Sequence, residues 1–230
     1  MTARRHDSTR AGWPEVGILI PAFNEQDTVA EVARIAASAH LGPVLVVSDG
    51  SSDATVDRAR AAGVRVLDLK DNRGKGGAVA AGLRELDSPI VALLDADLVG
   101  LRPEHIVALV EPVASGVADT TIGLFSDGRA RTDLAQKIAP YLSGQRAIRR
   151  DVLLDIEGLA ESKFAIELAI THKIEDEGLS VRYVPLPGVA QVMKEEKLGF
   201  WRGARRRLMM YGQILRYAFR AGAARASREG

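Results

Sequence analysis

Two aspartates, Asp95 and Asp97, follow an apolar run at residues 90–94 and are separated only by Ala96. If the run is a buried strand, both carboxylates lie at its carboxyl end, the edge where open α/β sheets bind their ligands. Two carboxylates about 4 Å apart repel by roughly 4 kcal/mol at an effective dielectric near 20, so a cation between them would stabilise the pair. Hard oxygen ligands favour Mg²⁺ or Mn²⁺. We therefore predict a divalent-cation site at Asp95 and Asp97.

Polar residues also follow the other apolar runs of the first half. Asn24 and Glu25 follow the first run, Asp49 the second, and Lys75 the third. If these runs are parallel strands, the polar residues share one sheet edge with the two aspartates and form a polar crevice. The glycine-rich loop around Lys75 is not a P-loop, because no Ser or Thr follows the lysine, and a dinucleotide-binding G-x-G-x-x-G is absent from the first loop.

Alternating apolar runs and helical patterns predict the elements that position these residues. The predicted strands are 16–20, 44–47, 64–69, 90–94, 119–124 and 181–186, with 144–148 a strand or a bend. The predicted helices are 27–38, 54–62, 78–86, 103–113, 134–142 and 162–177. Four successive strand–helix units indicate an α/β fold with a mostly parallel, doubly wound sheet flanked by helices.

The composition separates a basic C-terminal segment from the rest of the chain. The net charge is +1, yet residues 200–230 hold eight arginines and one glutamate. Apolar residues recur there at helical spacing, which predicts a basic amphipathic helix at 199–230. We predict a disordered tail at 1–14 and one domain at 15–198. The lack of cysteine, of a signal peptide and of a spanning segment favours a cytoplasmic, soluble or surface-bound protein.

Four motifs, in order and spacing, carry a family resemblance. They are Pro21-Ala22-Phe23-Asn24-Glu25, Asp49-Gly50-Ser51-Ser52-Asp53, Gly74-Lys75-Gly76 and Asp95-Ala96-Asp97. The set resembles the nucleotide-sugar half of family 2 glycosyltransferases with the GT-A fold. The resemblance implies a nucleotide-sugar half of the domain to about residue 125 and an acceptor half at 126–198. Residues 143–153 resemble the acceptor-side segment of polyprenyl-phosphate glycosyltransferases such as dolichol-phosphate mannose synthase.

The resemblance implies a nucleoside-diphosphate sugar as donor, with Mg²⁺ or Mn²⁺ held by Asp95 and Asp97. The implied donor-binding residues are Pro21, Ala22, Phe23, Asn24, Glu25, Asp49, Ser51, Asp53, Lys75, Gly76, Asp95, Ala96 and Asp97. For Asp53 we favour the alternative role of a helix cap. A glycine turn entering a helix is the alternative for the loop at Lys75.

On the acceptor side, the resemblance implies that basic residues bind the acceptor or the donor diphosphate. They are Arg129, Arg131, Arg146, Arg149, Lys194 and Lys197. A solvated charged stretch is the alternative for the two lysines. The chain departs from its lipid-phosphate relatives at Val99, where they often carry a metal-binding Gln, and after Ile122-Gly123, where they tend to have an arginine.

The acceptor determines whether a catalytic base is needed in an inverting, in-line reaction. An alcohol must lose its proton, and Glu167 is the candidate base ahead of Glu161 and Asp155. A phosphate oxygen is already anionic and needs no base, only cations such as Arg146 to position it. An exposed acid on a helix is the alternative interpretation of Glu167.

The basic helix and the activity of the chain each have more than one interpretation. The basic helix is expected either to lie on anionic lipid, bringing the chain to a polyprenyl phosphate, or to pack on the domain or on a second subunit. Nothing beyond charge supports nucleic-acid binding.

A non-catalytic sugar-nucleotide sensor or scaffold is the alternative to an enzyme. A nucleotidyltransferase is disfavoured because the first loop lacks a Leu-x-Gly-Gly-x-Gly pattern.

Overall fold

The computed structural model describes residues 12–125 and 143–192, apart from the side chain of Phe164. The predicted helix 134–142, the amphipathic helix 199–230 and most of the predicted tail 1–14 lie outside these residues. Among the helices within the described ranges, none combines the length and the apolar composition needed to cross a bilayer.

Strands and helices alternate through the first half, as the apolar pattern predicts. The first elements are β1 (Val16–Ala22), α1 (Val29–Ser38), β2 (Val44–Asp49), α2 (Thr55–Ala61), β3 (Arg65–Leu69), α3 (Gly74–Leu83) and β4 (Ile90–Leu93). They are followed by β5 (Leu98–Val99), α4 (Pro103–Ala114), β6 (Thr120–Phe125), β7 (Arg146–Arg149), α5 (Arg150–Leu154), a 3₁₀ helix (Ala160–Ala165), α6 (Ile166–Glu177), β8 (Val181–Leu186) and β9 (Ala190–Gln191).

The main sheet has seven strands in the order β3-β2-β1-β4-β7-β6-β8. Its β1, β2, β3 and β4 pair in parallel, as do β6 and β8, whereas β7 is antiparallel to both of its neighbours. The expected mostly parallel α/β fold is confirmed. Because β1, β2 and β4 run in one direction, the loops that follow them meet at one edge of the sheet.

The central strands are mostly apolar because helices cover both faces of the sheet. Every residue of β2 and β4 is buried, as are nearly all those of β1. One core cluster includes residues of α1 and α4, and the other includes residues of α3 and α6. Fully burying one such side chain is worth about 1.5–3 kcal/mol, so the sheet forms a stable base for its loops.

Two predicted helices begin at other residues than expected. Helix α3 starts at Gly74 rather than Ala78, so Lys75 and Gly76 lie in its first turn. The predicted helix 162–177 is a 3₁₀ helix followed by α6, with a break at Lys163, whose φ of 51° and ψ of −111° are not helical. A Cβ on Gly74 would lie 2.9 Å from the Lys163 Cα, so glycine allows this close approach to α3.

Candidate active site

A cavity of about 210 Å³ opens at the carboxyl edge of the parallel strands. It is lined by Pro21, Ala22, Phe23, Glu25, Asp49, Asn72, Lys75, Ala78, Asp95, Ala96, Asp97 and Gln191. Most of the residues predicted to bind a donor therefore come together. Residues from the ends of β1, β2 and β4 meet at this edge because these strands are adjacent and parallel.

Asn24, Ser51 and Asp53 do not line this cavity but join the loops after β1 and β2. The Asn24 N–H donates to Ser51 Oγ at 3.1 Å, and Asn24 Oδ1 accepts the N–H of Ser52 at 2.9 Å. Asp53 Oδ1 accepts the N–H of Thr55, the first residue of α2, at 3.0 Å. Asp53 therefore contacts the first residue of α2 from the position before the N-cap, Ala54, so its bond differs from the N-cap bond favoured from the sequence.

Asp49 is buried at the end of β2 and holds the start of α3. Its Oδ1 accepts the N–H of Arg73 at 2.7 Å and its Oδ2 accepts the N–H of Gly74 at 2.8 Å. Burial raises the pKa of the Asp49 carboxyl, while these two backbone bonds act in the opposite direction. The two bonds satisfy helix N–H groups that have no partner within α3, which explains its early start.

Asp95 is surrounded by three side-chain donors from separate parts of the chain. Its Oδ1 accepts from Lys75 Nζ at 2.5 Å. Its Oδ2 accepts from Gln145 Nε2 at 2.7 Å and from Gln191 Nε2 at 2.6 Å. These donors hold the carboxylate at the edge of the cavity and offset its negative charge.

Lys75 forms ion pairs with two acids from distant parts of the chain. Besides Asp95, its ammonium contacts Glu167 Oε1 at 2.5 Å, in the first turn of α6. Burial lowers the pKa of Lys75, but the Asp95 and Glu167 carboxylates outweigh it and raise the pKa above its ordinary value. Lys75 is therefore a fixed positive charge at neutral pH. Glu167, the candidate base, lies beside the cavity-lining lysine as an ion-pair partner rather than as an exposed helix acid.

Asp97 is positioned by a small second sheet. Strands β5 and β9 pair antiparallel, with Leu98 opposite Gln191, and the Asp97 carbonyl accepts the N–H of Val192 at 3.0 Å. The pairing brings the Gln191 amide to both aspartates, with Nε2 3.5 Å from Asp97 Oδ1. Asp97 and Gln191 both line the cavity.

Arg146 and Arg149, the two predicted acceptor arginines within residues 12–125 and 143–192, do not line this cavity. Arg146 is fully buried, with its Nε donating to the Ser143 carbonyl at 3.0 Å, and burial lowers its pKa to about 10 although Glu167 opposes the shift. Arg149 pairs with Ile90, at the amino end of β4, and contacts Asp119 and Asp151. Arg149 therefore lies away from this cavity, because β7 runs antiparallel to β4, and its role in acceptor binding stays a prediction.

Four predicted site residues lie outside the described residues, and a second group of four, Asn72, Ala78, Gln145 and Gln191, was not predicted. Arg129, Arg131, Lys194 and Lys197 belong to the first group. Gln145 and Gln191 contact Asp95 but were not predicted to do so. Gln145 lies within the acceptor-like motif, so the motif could have suggested it. No local signal identifies Gln191, because its role depends on the pairing of β5 with β9.

The side chains at this edge fit a hard divalent cation whose coordination is completed by other ligands. Within residues 12–125 and 143–192, no group of three or more His, Cys, Asp or Glu side chains could hold a metal by itself. Asp95 and Asp97 supply carboxylate oxygens, and the Gln191 amide lies beside both. Mg²⁺ is commonly bound by one or two carboxylates together with water and substrate phosphates, so these two acids suffice for such a site.

The sequence model of Glycosyl transferase family 2 matches residues 17–165, more than half of the chain. The chain belongs to glycosyltransferase family 2. The matched range includes β1 to β4, the cavity residues that follow them, and Gln145. The family expected from the four sequence motifs is thereby confirmed.

Two related proteins align with different lengths of this chain. Glycosyltransferase AglJ of Haloferax volcanii is 29% identical over 189 residues, which covers 74% of this chain and 61% of AglJ. Undecaprenyl-phosphate 4-deoxy-4-formamido-L-arabinose transferase of Edwardsiella ictaluri is 38% identical over 112 residues, 44% of this chain and 34% of that protein. The chain therefore spans less than two thirds of either relative.

A solved structure shares the fold. Glucosyl-3-phosphoglycerate synthase from Mycobacterium tuberculosis, crystallised with Mn²⁺ and UDP-glucose, superposes with a TM-score of 0.66 at 23% identity. The similarity covers 84% of this chain and 76% of the synthase. This chain has the same GT-A architecture.

Proposed function

We propose that this protein is an inverting, metal-dependent glycosyltransferase that transfers a sugar from a UDP- or GDP-linked donor to an acceptor phosphate. The observation that carries the proposal is the meeting of Asp95, Asp97 and Lys75 at one cavity, opposite residues from the ends of β1 and β2. A nucleoside diphosphate needs both parts: walls for the base and ribose, and charged groups that hold the diphosphate.

In this proposal each part of the cavity has a separate role. Phe23, Glu25 and Asp49 bind the nucleoside, and Asp95 with Asp97 holds Mg²⁺ or Mn²⁺ on the diphosphate. When bound, the metal supplies Lewis-acid chemistry that offsets the charge developing on the departing diphosphate. Lys75 adds a positive charge beside the same group. Pro21, Ala22 and Ala96 complete the walls of the cavity.

The acceptor is proposed to be a polyprenyl phosphate. The Edwardsiella relative's name specifies undecaprenyl phosphate, and a phosphate oxygen is already anionic when it attacks. Such an acceptor also fits the ion pair between Glu167 and Lys75, because a phosphate needs no catalytic base and Glu167 can remain the partner of the ammonium. Arg129, Arg131, Lys194 and Lys197 remain proposals for holding the phosphates, and buried Arg146 would act through Ser143 and Glu167 rather than by contact.

We propose that residues 200–230 bring the enzyme to the inner face of the membrane as a peripheral contact. Each basic residue near an anionic surface contributes about 1 kcal/mol, and the segment holds eight arginines. Co-sedimentation with vesicles containing anionic lipid, using the full chain and a chain ending at Leu198, measures this contribution. Equal binding by both would exclude the segment as the anchor and favour packing on the domain or on a second copy.

Calorimetry and a transfer assay test the proposed reaction. UDP-glucose and GDP-mannose would each be titrated with and without MnCl₂ into wild type, Asp97→Ala and a control, Asp57→Ala, whose side chain is exposed on α2. We expect metal-dependent binding by wild type and Asp57→Ala and its loss in Asp97→Ala. The absence of metal-dependent binding of either donor to wild type would reject the proposal.

The alternative is a sugar-nucleotide sensor, motivated by Val99 at the position where relatives carry a metal-binding Gln. A sensor would bind the donor without transferring its sugar. Transfer to undecaprenyl phosphate, or donor hydrolysis, above the background of Asp95→Ala would reject the sensor. Donor binding with neither activity would favour it.

A further inference from the structure

The inference concerns Lys75 and rests on the proposed donor site. The ammonium lies 2.5 Å from Asp95 Oδ1, and the Gln145 and Gln191 amides donate to Asp95 Oδ2. Both carboxylate oxygens thus already have donors without any metal or donor molecule. Three donors occupy most of the roughly four acceptor positions of this carboxylate, so a divalent cation that binds Asp95 directly has to share the carboxylate with them or displace one of them.

Among these donors, Lys75 is the one whose contact with Asp95 opposes a metal cation on the same carboxylate. An amide can rotate to present its oxygen in place of its N–H groups, and so can remain beside a bound metal. An ammonium has three donors and no acceptor, and its full positive charge at hydrogen-bond distance repels a divalent cation on the same carboxylate. The ammonium and the metal therefore compete for Asp95.

The contacts of Lys75 hold it in the competing position. Glu167 contacts the same ammonium at 2.5 Å, so the Asp95 and Glu167 oxygens are no more than twice that distance apart. The backbone at Gly144 closes one side of this cluster, because a Cβ there would lie 2.5 Å from Lys75 Nζ and 2.6 Å from Asp95 Oδ2. Lys75 and Asp95 also line the cavity, so the ammonium can turn towards a diphosphate bound there.

We propose that Lys75 is a positioning residue that acts as the counter-cation of Asp95 until the donor arrives. In the donor-free protein the ammonium weakens metal binding. The donor diphosphate attracts the ammonium to its own oxygens and releases Asp95 to the metal. Metal and nucleotide therefore bind with positive coupling, and by linkage each raises the affinity of the other by the same factor.

Manganese binding measured by electron paramagnetic resonance tests the competition without an activity assay. MnCl₂ would be titrated into wild type and Lys75→Met, first alone and then with UDP. Lys173→Met is the matched control, because Lys173 also joins two carboxylates, Asp155 and Glu177, that do not line the cavity. We expect Lys75→Met to bind Mn²⁺ alone about tenfold more tightly than wild type and Lys173→Met.

The enhancement by UDP distinguishes competition from a general change in charge. UDP is expected to raise the Mn²⁺ affinity of wild type about tenfold and that of Lys75→Met much less. The double variant Lys75→Met/Glu167→Gln, which leaves Asp95 without Glu167's charge, should still bind Mn²⁺ alone more tightly than wild type. Thermal unfolding would verify that each variant is folded.

Three results would overturn the inference. One is a folded Lys75→Met that binds Mn²⁺ alone no more tightly than wild type. The second is wild type that binds Mn²⁺ equally with and without UDP, a result that does not depend on the folding of any variant. In both cases metal-dependent sugar transfer by wild type would leave the proposed function intact. The third, wild type that binds neither Mn²⁺ nor UDP, would reject both proposals.

Discussion

Asp49 lies at the end of β2 and Asp95 follows β4, the two strands that flank β1. Residues at the start of α3 contact both aspartates, but different kinds of donor hold the two carboxylates. Asp49 accepts backbone N–H groups at the start of α3. Asp95 accepts from three side chains, those of Lys75, Gln145 and Gln191. Backbone donors move only when the helix end unfolds, whereas side chains can rotate. The backbone at the start of α3 therefore fixes Asp49, whereas Asp95 lies in a cluster of side chains that can rearrange when ligands bind.

Asp95→Asn should produce the largest effect, and it should affect activity. The amide keeps the shape of the side chain but removes the charge that faces the cation, so we expect sugar transfer to fall by about 10²- to 10³-fold. Lys75 keeps Glu167 as its ion-pair partner, so the free energy of unfolding should change little. Steady-state kinetics and urea unfolding measure the two effects. A loss of stability large enough to explain the lost activity would contradict the comparison.

Asp49→Asn should instead affect mainly the free energy of unfolding. One of the two backbone N–H groups at the start of α3 would face the amide NH₂, and an unsatisfied buried donor costs about 1–3 kcal/mol. We expect urea unfolding to show a loss of stability of that size. The matched control, Asp57→Asn on the exposed surface of α2, should change stability by less than about 0.5 kcal/mol. An Asp49→Asn protein as stable as wild type would show that these bonds do not fix the helix start.

Asp49 should also change how stability depends on pH, by less than the loss of stability expected for Asp49→Asn. Burial raises the folded-state pKa of its carboxyl, so its titration contributes stability below the unfolded pKa of about 3.9. This contribution is lost as the pH rises through the folded pKa. The stability difference between wild type and Asp49→Asn should therefore be larger below pH ~4 than at pH ~7. Urea midpoints across this range measure it, and a difference that grows with pH would contradict the raised pKa.

The parallel half of the fold could be predicted because its strands carry their own signal. Buried strands between two helical layers are continuously apolar, and each run is followed by a polar loop. The runs at residues 16–20, 44–47 and 90–94 correspond to β1, β2 and β4, and the loops behind them line one cavity. Predicting the shared edge required only that the strands be adjacent and parallel.

What could not be predicted depends on contacts between distant segments. The sequence around residue 148 indicates a strand or bend but not its direction, and the antiparallel direction of β7 takes Arg149 away from the cavity. The start of α3 depends on Asp49, and the break at Lys163 lies where that segment meets Gly74. Gln191 reaches Asp95 only because β9 pairs with β5. None of these pairings leaves a periodic pattern in the sequence.

The most direct measurement is a crystal structure with Mn²⁺ and UDP, in which the metal is located by its anomalous scattering. We expect one metal peak bonded to an Asp97 oxygen and to the diphosphate, with the base against Phe23 and Asp49. We also expect the Lys75 ammonium to lie nearer the diphosphate than Asp95 Oδ1. A nucleotide bound elsewhere, or a diphosphate in this cavity with no metal at Asp97, would contradict the central claim.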